Sequence, residues 1–101
     1  MTANIYLASR SKLKVKLENF VPVQSGDNFS VITSCGVGLE RHYESGGFME
    51  ANQPIVEQEI DACGNEQTTV IVRKRKNGVS SSTTSTISTP TGQTVAVSFT
   101  Y

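Results

Sequence analysis

Apolar and polar residues alternate at every second position through most of this chain, and no stretch sustains a 3.6-residue apolar period. Lys12 to Val21 shows the alternation most plainly. Leu13, Val15 and Leu17 fall in one phase and Lys12, Lys14, Lys16 and Glu18 in the other, which predicts a half-buried strand. Gln93 to Tyr101 repeats the pattern, with Val95, Val97, Phe99 and Tyr101 against Thr94, Ala96, Ser98 and Thr100. Asn28 to Val37 is apolar on its odd positions and reads as one strand that Leu39 to Tyr43 either continues or follows. Ile55 to Cys63 sets Val56, Ile60 and Ala62 opposite Glu57, Glu59 and Asp61, and Asn4 to Ala8 suits an edge strand or an N-terminal arm.

The strongest local signal is Asn77-Gly78, placed between two β-prone runs in the segment Thr68 to Thr89. A two-residue hairpin loop needs positive φ at both central positions, which Asn tolerates and Gly accepts freely. Pairing Lys76 with Val79 then sets Arg75 against Ser80, Lys74 against Ser81, Arg73 against Ser82 and Val72 against Thr83. Four cations thereby crowd one hairpin tip opposite small hydroxyls. The second strand, Val79 to Thr89, is nearly all Ser and Thr, so it can bury little and belongs at an edge. Parity also predicts that Glu57 and Glu59 face Arg73 and Arg75 across an antiparallel pair, which would neutralise half of the basic cluster.

Turn signals divide these runs. Ser25 to Asn28, Ser45-Gly46-Gly47, Gly64 to Gln67 and Thr89-Pro90-Thr91-Gly92 recur at about the 8-to-12-residue spacing of sandwiches and barrels. The fold class predicted is all-β: one antiparallel β-sandwich domain of seven or eight strands over residues 1–101, with a small closed barrel as the alternative. Leu13, Val15, Leu17, Phe29, Val31, Ile60, Val95, Val97 and Phe99 form its expected core.

Composition narrows the function classes. Nine Lys and Arg balance nine Asp and Glu, so the overall basic field of nucleic-acid binders is missing and nucleic acid is a disfavoured partner. No apolar run approaches the roughly 20 residues of a membrane span, and the N-terminal region shows no secretion leader. The compartment stays open between the cytoplasm, leaderless secretion and the mature form of a secreted protein. With two cysteines and one histidine, the chain holds no zinc-type spacing, and no cofactor or metal is expected. Cys35 shares a phase with Phe29, Val31 and Val37, so it reads as a small buried residue, and two free thiols are preferred over a Cys35–Cys63 bridge.

Candidate chemistry is sparse. No nucleophile elbow, phosphate loop or cysteine signature is present, and Glu57 with Glu59 matches a carboxylate pair only in spacing, so a non-enzymatic protein is expected. Two surfaces have the residue types for recognition. The connection Arg41 to Gln53 offers Tyr43 and Phe48 as an aromatic platform, with Arg41 and Asn52 as oriented polar groups, the combination that binds sugars. The hairpin cations Arg73, Lys74, Arg75 and Lys76 form the alternative, an anion site suited to glycosaminoglycan, anionic lipid or nucleic acid. The expectation that follows is a lectin-like module binding a glycan or another cell-surface ligand through the loop. A self-assembling particle, fibre or virion subunit comes second, with a homo-oligomer as its signature, and a membrane-active toxin-like protein third.

Overall fold

The computed structural model of the 101-residue chain describes residues 1–9, 11–19, 25–44, 47–48, 57–63, 67–76, 78–88 and 92–99. Among them nine strands and no helix are found: β1 (Thr2–Ser9), β2 (Lys12–Glu18), β3 (Asn28–Thr33), β4 (Gly36–Glu44), β5 (Gly47–Phe48), β6 (Glu57–Asp61), β7 (Gln67–Lys76), β8 (Val79–Ser88) and β9 (Val95–Ser98). They make an open sandwich of two antiparallel sheets, ordered β6-β2-β1-β9 and β5-β4-β3-β7-β8. No barrel closes.

Alternation decides which side chains meet between the sheets. The first sheet contributes Ala3, Ile5, Leu13, Val15, Leu17, Ile60, Val95 and Val97, and the second Phe29, Val31, Leu39, Tyr43, Val70, Val72 and Ile87, all buried. Each large aliphatic residue buried this way contributes about 1.5 to 3 kcal/mol relative to an exposed position. Eight of the nine expected core residues lie in this layer, and Phe99 is half-buried against its edge. The layer also holds polar groups that are satisfied locally, such as the Thr68 hydroxyl, which donates to the Ala62 carbonyl at 2.5 Å. The hairpin register is the expected one throughout, from Lys76 opposite Val79 to Val72 opposite Thr83, and β8 is an end strand.

Four expectations are corrected. The N-terminal run is not an edge, since β1 lies between β2 and β9. The stretch from Asn28 to Val37 is two strands, because Thr33 pairs with Gly36 around a tight turn at Ser34 and Cys35. Gly36 adopts φ 126°, a conformation open chiefly to glycine, and a register shift after Val31 leaves Val37 61% exposed.

The third correction concerns charge pairing. β6 pairs with β2, and β7 with β3 and β8, so Glu57 and Glu59 do not face Arg73 and Arg75. Lys14 Nζ lies 2.8 Å from Glu57 and Lys12 Nζ 2.6 Å from Asp61 instead. The lysine phase of β2 satisfies the acidic phase of β6 as well as the arginines would have done, and the chain changes sheets between β6 and β7.

The fourth is the pair of thiols. Cys35 and Cys63 form a disulfide across a Cα–Cα distance of 5.4 Å, and Cys35 is exposed rather than buried. The turn at Ser34 and Cys35 takes Cys35 out of the strand phase that would have pointed it into the core. Its amide donates to Thr33 Oγ1 at 3.3 Å, which holds the turn. The bridge ties the β3–β4 turn of one sheet to Cys63, two residues beyond the end of β6 in the other.

Candidate functional site

Of the four residues expected to form the sugar platform, Tyr43 is not on the surface. Tyr43 belongs to the inner phase of β4 and is 1% exposed, so its ring packs in the core. Its backbone is fastened as well: the Tyr43 amide donates to the Asp27 carbonyl at 2.8 Å, and its carbonyl accepts from the Gly26 amide at 2.9 Å. Arg41 shares that phase two residues earlier and is half-buried. Its Nη2 donates to Gln58 Oε1 of β6 at 3.0 Å and its Nη1 to the Glu40 carbonyl at 2.7 Å, a link between the sheets. Phe48 pairs with Tyr43 through the β4–β5 ladder, but its side chain and the whole of Asn52 lie outside the described residues.

The hairpin cations are divided by strand alternation. Arg73 and Arg75 are exposed on the outer face of the five-stranded sheet, while Lys74 and Lys76 take the inner phase. Lys74 is 9% exposed, with Nζ 5.2 Å from the centroid of the Phe99 ring. Burial pushes its pKa below the ordinary lysine value, the charge of Lys76 adds to that shift, and Asp27 opposes it. Lys74 is therefore part of the packing where the hairpin meets the C-terminal strand. The outward cations are the two arginines.

Three strands build a groove around them. The ladders place Asn28, Arg75 and Ser80 in one row across β3, β7 and β8, and Ser30, Arg73 and Ser82 in the next row on the same face. These residues line a groove of about 350 Å³, with Lys74 and Ser81 completing the lining. Small side chains on both flanks leave the guanidinium groups open. Residues two apart on a strand are separated by about 7 Å, so the arginines form a short linear array of positive charge. Among the described residues no carboxylate lies within ion-pair distance of Arg73 or Arg75, whereas Lys12 and Lys14 are paired with Asp61 and Glu57. On β4, His42 continues the row of Asn28 and Glu40 that of Ser30, which puts the nearest acid of that face among the described residues two strands, about 10 Å, from Arg73.

Such an array can hold an anion. Guanidinium presents a planar fork of N–H donors that matches sulfate, phosphate or carboxylate, and the flanking Ser hydroxyls and Asn amide add neutral donors. It offers no nucleophile with an adjacent base, and the described residues hold no cluster of metal-binding side chains. Asn28 and Ser30 are the two lining residues that the sequence did not point to. Their signal was the polar phase of their own strand, but recruiting them requires knowing that β3 lies beside β7. No protein family model matches this sequence, and searches of curated proteins and of solved structures find no match to it.

Proposed function

We propose that this protein is a non-enzymatic recognition module that binds an acidic glycan, sulfated or phosphorylated, along the outer face of its five-stranded sheet. The observation that carries the reading is the groove of Arg73 and Arg75, flanked by Asn28, Ser30, Ser80 and Ser82, with no carboxylate partner among the described residues. A single exposed ion pair contributes only about 0.2 to 1 kcal/mol, so an isolated sulfate binds weakly. A chain of anions repeating every few ångströms engages both arginines and the hydroxyls together, and gains from the linkage between its charges. Nucleic acid fits less well. The net charge is zero and the groove lining includes no aromatic side chain for base stacking. The disulfide suits an oxidising setting, where acidic glycans are met.

Retention on an immobilised sulfated polysaccharide, compared with a neutral one of the same backbone, tests the proposal. Wild type is expected to bind the sulfated matrix alone and to elute with salt, because exposed charge contacts are screened at high ionic strength. Arg73→Ser with Arg75→Ser should flow through, while Arg41→Ser should be retained. Retention of the folded double variant, or preference of wild type for the neutral matrix, refutes the groove and returns the site to the Arg41 to Gln53 connection.

A further inference from the structure

The outer face of the five-stranded sheet is polar in the two rows that build the groove and changes character in the next. Along β7 the outward phase runs Arg75, Arg73, Ile71, Thr69. Ile71 stands opposite Thr84 of β8 on one side and Ile32 of β3 on the other, and Ile32 stands opposite Val37 of β4. These four residues make a row parallel to that of Ser30, Arg73 and Ser82. It spans about 14 Å across the strands and lies about 7 Å from Arg73. Thr69 and Thr86 begin the row beyond, so the apolar strip ends there in hydroxyls.

An antiparallel sheet with one face on the core ordinarily turns polar residues to solvent on the other. Here Val37 is 61% exposed and Ile32 and Ile71 are half-buried, and none of the three belongs to the core between the sheets. Val37 reaches the outer face through the register shift in the β3–β4 ladder. Val31 pairs with Leu39 and Ile32 with Val37, which leaves Gly38 as the extra residue of β4. A Cβ on Gly38 would lie 3.0 Å from Ile60 Cβ and Cδ1, so this position turns toward the other sheet and its close approach suits glycine. The bulge is thus fixed from inside and aims Val37 outward, the way bulges re-aim side chains beside binding sites.

We infer, building on the groove as an acidic-glycan site, that this row takes a hydrocarbon aglycone and that the ligand is an acidic glycolipid. Its sulfate or phosphate lies on Arg73 and Arg75, and the start of its hydrocarbon chain crosses Ile71, Ile32 and Val37. Charge complementarity sets the direction. The anion belongs at the arginines, and Glu40 at the β4 end of the Arg73 row repels it from that side. The three aliphatic side chains present carbon alone, with no aromatic plane for a sugar ring and no donor or acceptor for its hydroxyls, so a hydrocarbon gains from leaving water there. A second protein does not fit the strip, because each partner of a stable complex buries roughly 800 Å², far more than three side chains supply.

Amide titration of the full oxidised chain by nuclear magnetic resonance tests the assignment, with the methyl and octyl glycosides of one sulfated galactose and the neutral octyl galactoside, all below micelle formation. The sulfated octyl compound is expected to bind about tenfold more tightly than its methyl counterpart, since methylenes covered on one face gain part of the free energy of full burial. It should add shifts at Ile32, Val37 and Ile71. Val37→Thr with Ile71→Thr should erase that gain, and Arg73→Ser with Arg75→Ser should erase binding of both sulfated compounds. Equal affinity of the methyl and octyl sulfates overturns the glycolipid and leaves the groove standing, whereas absence of binding by either refutes the groove and the glycolipid together. Neutral octyl galactoside binding as tightly as the sulfated form, or a gain that persists in the folded threonine variant, also overturns it. Should that variant fail to fold, Val37→Thr alone must reduce the gain.

Discussion

Removing the Cys35–Cys63 bridge tests how the two sheets are held together. The bonded residues are 28 apart in sequence, and closing such a loop removes about 12 cal/mol/K of entropy from the unfolded chain, or about 3.6 kcal/mol at 25 °C. For a chain of 101 residues the unfolding entropy is about 0.21 kcal/mol/K, so the loss corresponds to a fall in Tm of about 17 °C. That is a large share of the 5 to 15 kcal/mol that roughly bounds the stability of a native domain. The assay is calorimetric unfolding of oxidised protein, of the same protein under reductant, and of Cys35→Ser with Cys63→Ser. The last two should coincide, and reductant should leave the double variant unchanged. Equal Tm for the oxidised and reduced wild type would refute the reasoning, as would two titratable thiols in the oxidised protein.

Two further outcomes follow from packing and charge. Leu17→Ala and Phe29→Ala remove side chains that are 5% and 0% exposed and should each cost about 2 to 5 kcal/mol by urea denaturation, whereas half-buried Phe99→Ala should cost less than Phe29→Ala. The Glu57 carboxylate is held below its usual pKa of 4.5, first by the hydrogen bond from Lys14 and then by its charge. A depressed carboxylate contributes stability that is present above its unfolded pKa and lost as pH falls through the folded value, so Glu57→Gln should lie below wild type at pH 7 and converge with it in acid. A difference that grows on acidification would contradict the pairing.

Much of the fold was legible because a strand of period 2 with one apolar phase announces which face it buries. The phases of Leu13 to Leu17, Val95 to Val97 and Phe29 to Val31 sufficed for the core, and Asn77-Gly78 sufficed for the register of β7 and β8. Pairing between distant strands was not legible. The acidic phase of Glu57, Glu59 and Asp61 is complemented equally by Lys12, Lys14 and Lys16 and by Arg73 and Arg75, and the short connection after Cys63 suggested the wrong neighbour. The turn at Ser34 and Cys35 was hidden for a related reason: one strand with continuous alternation and two strands joined by a tight turn carry the same residues, and the pairing of Thr33 with Gly36 distinguishes them. The candidate site was legible by half. The cations were evident in the sequence, but their separation into exposed arginines and inward lysines, and the contribution of Asn28 and Ser30, depend on the sheet that surrounds them. Tyr43 was misjudged because it lies at the end of an alternating strand, where sequence alone does not separate loop from core.

The measurement that bears most directly on the groove is a backbone amide titration by nuclear magnetic resonance with a defined sulfated oligosaccharide. The account predicts shifts concentrated at Asn28, Ser30, Arg73, Arg75, Ser80 and Ser82, absent from Tyr43 and Gln58, and suppressed at high salt. Shifts centred on Arg41 and Tyr43, or none at any site at saturating oligosaccharide, would contradict it.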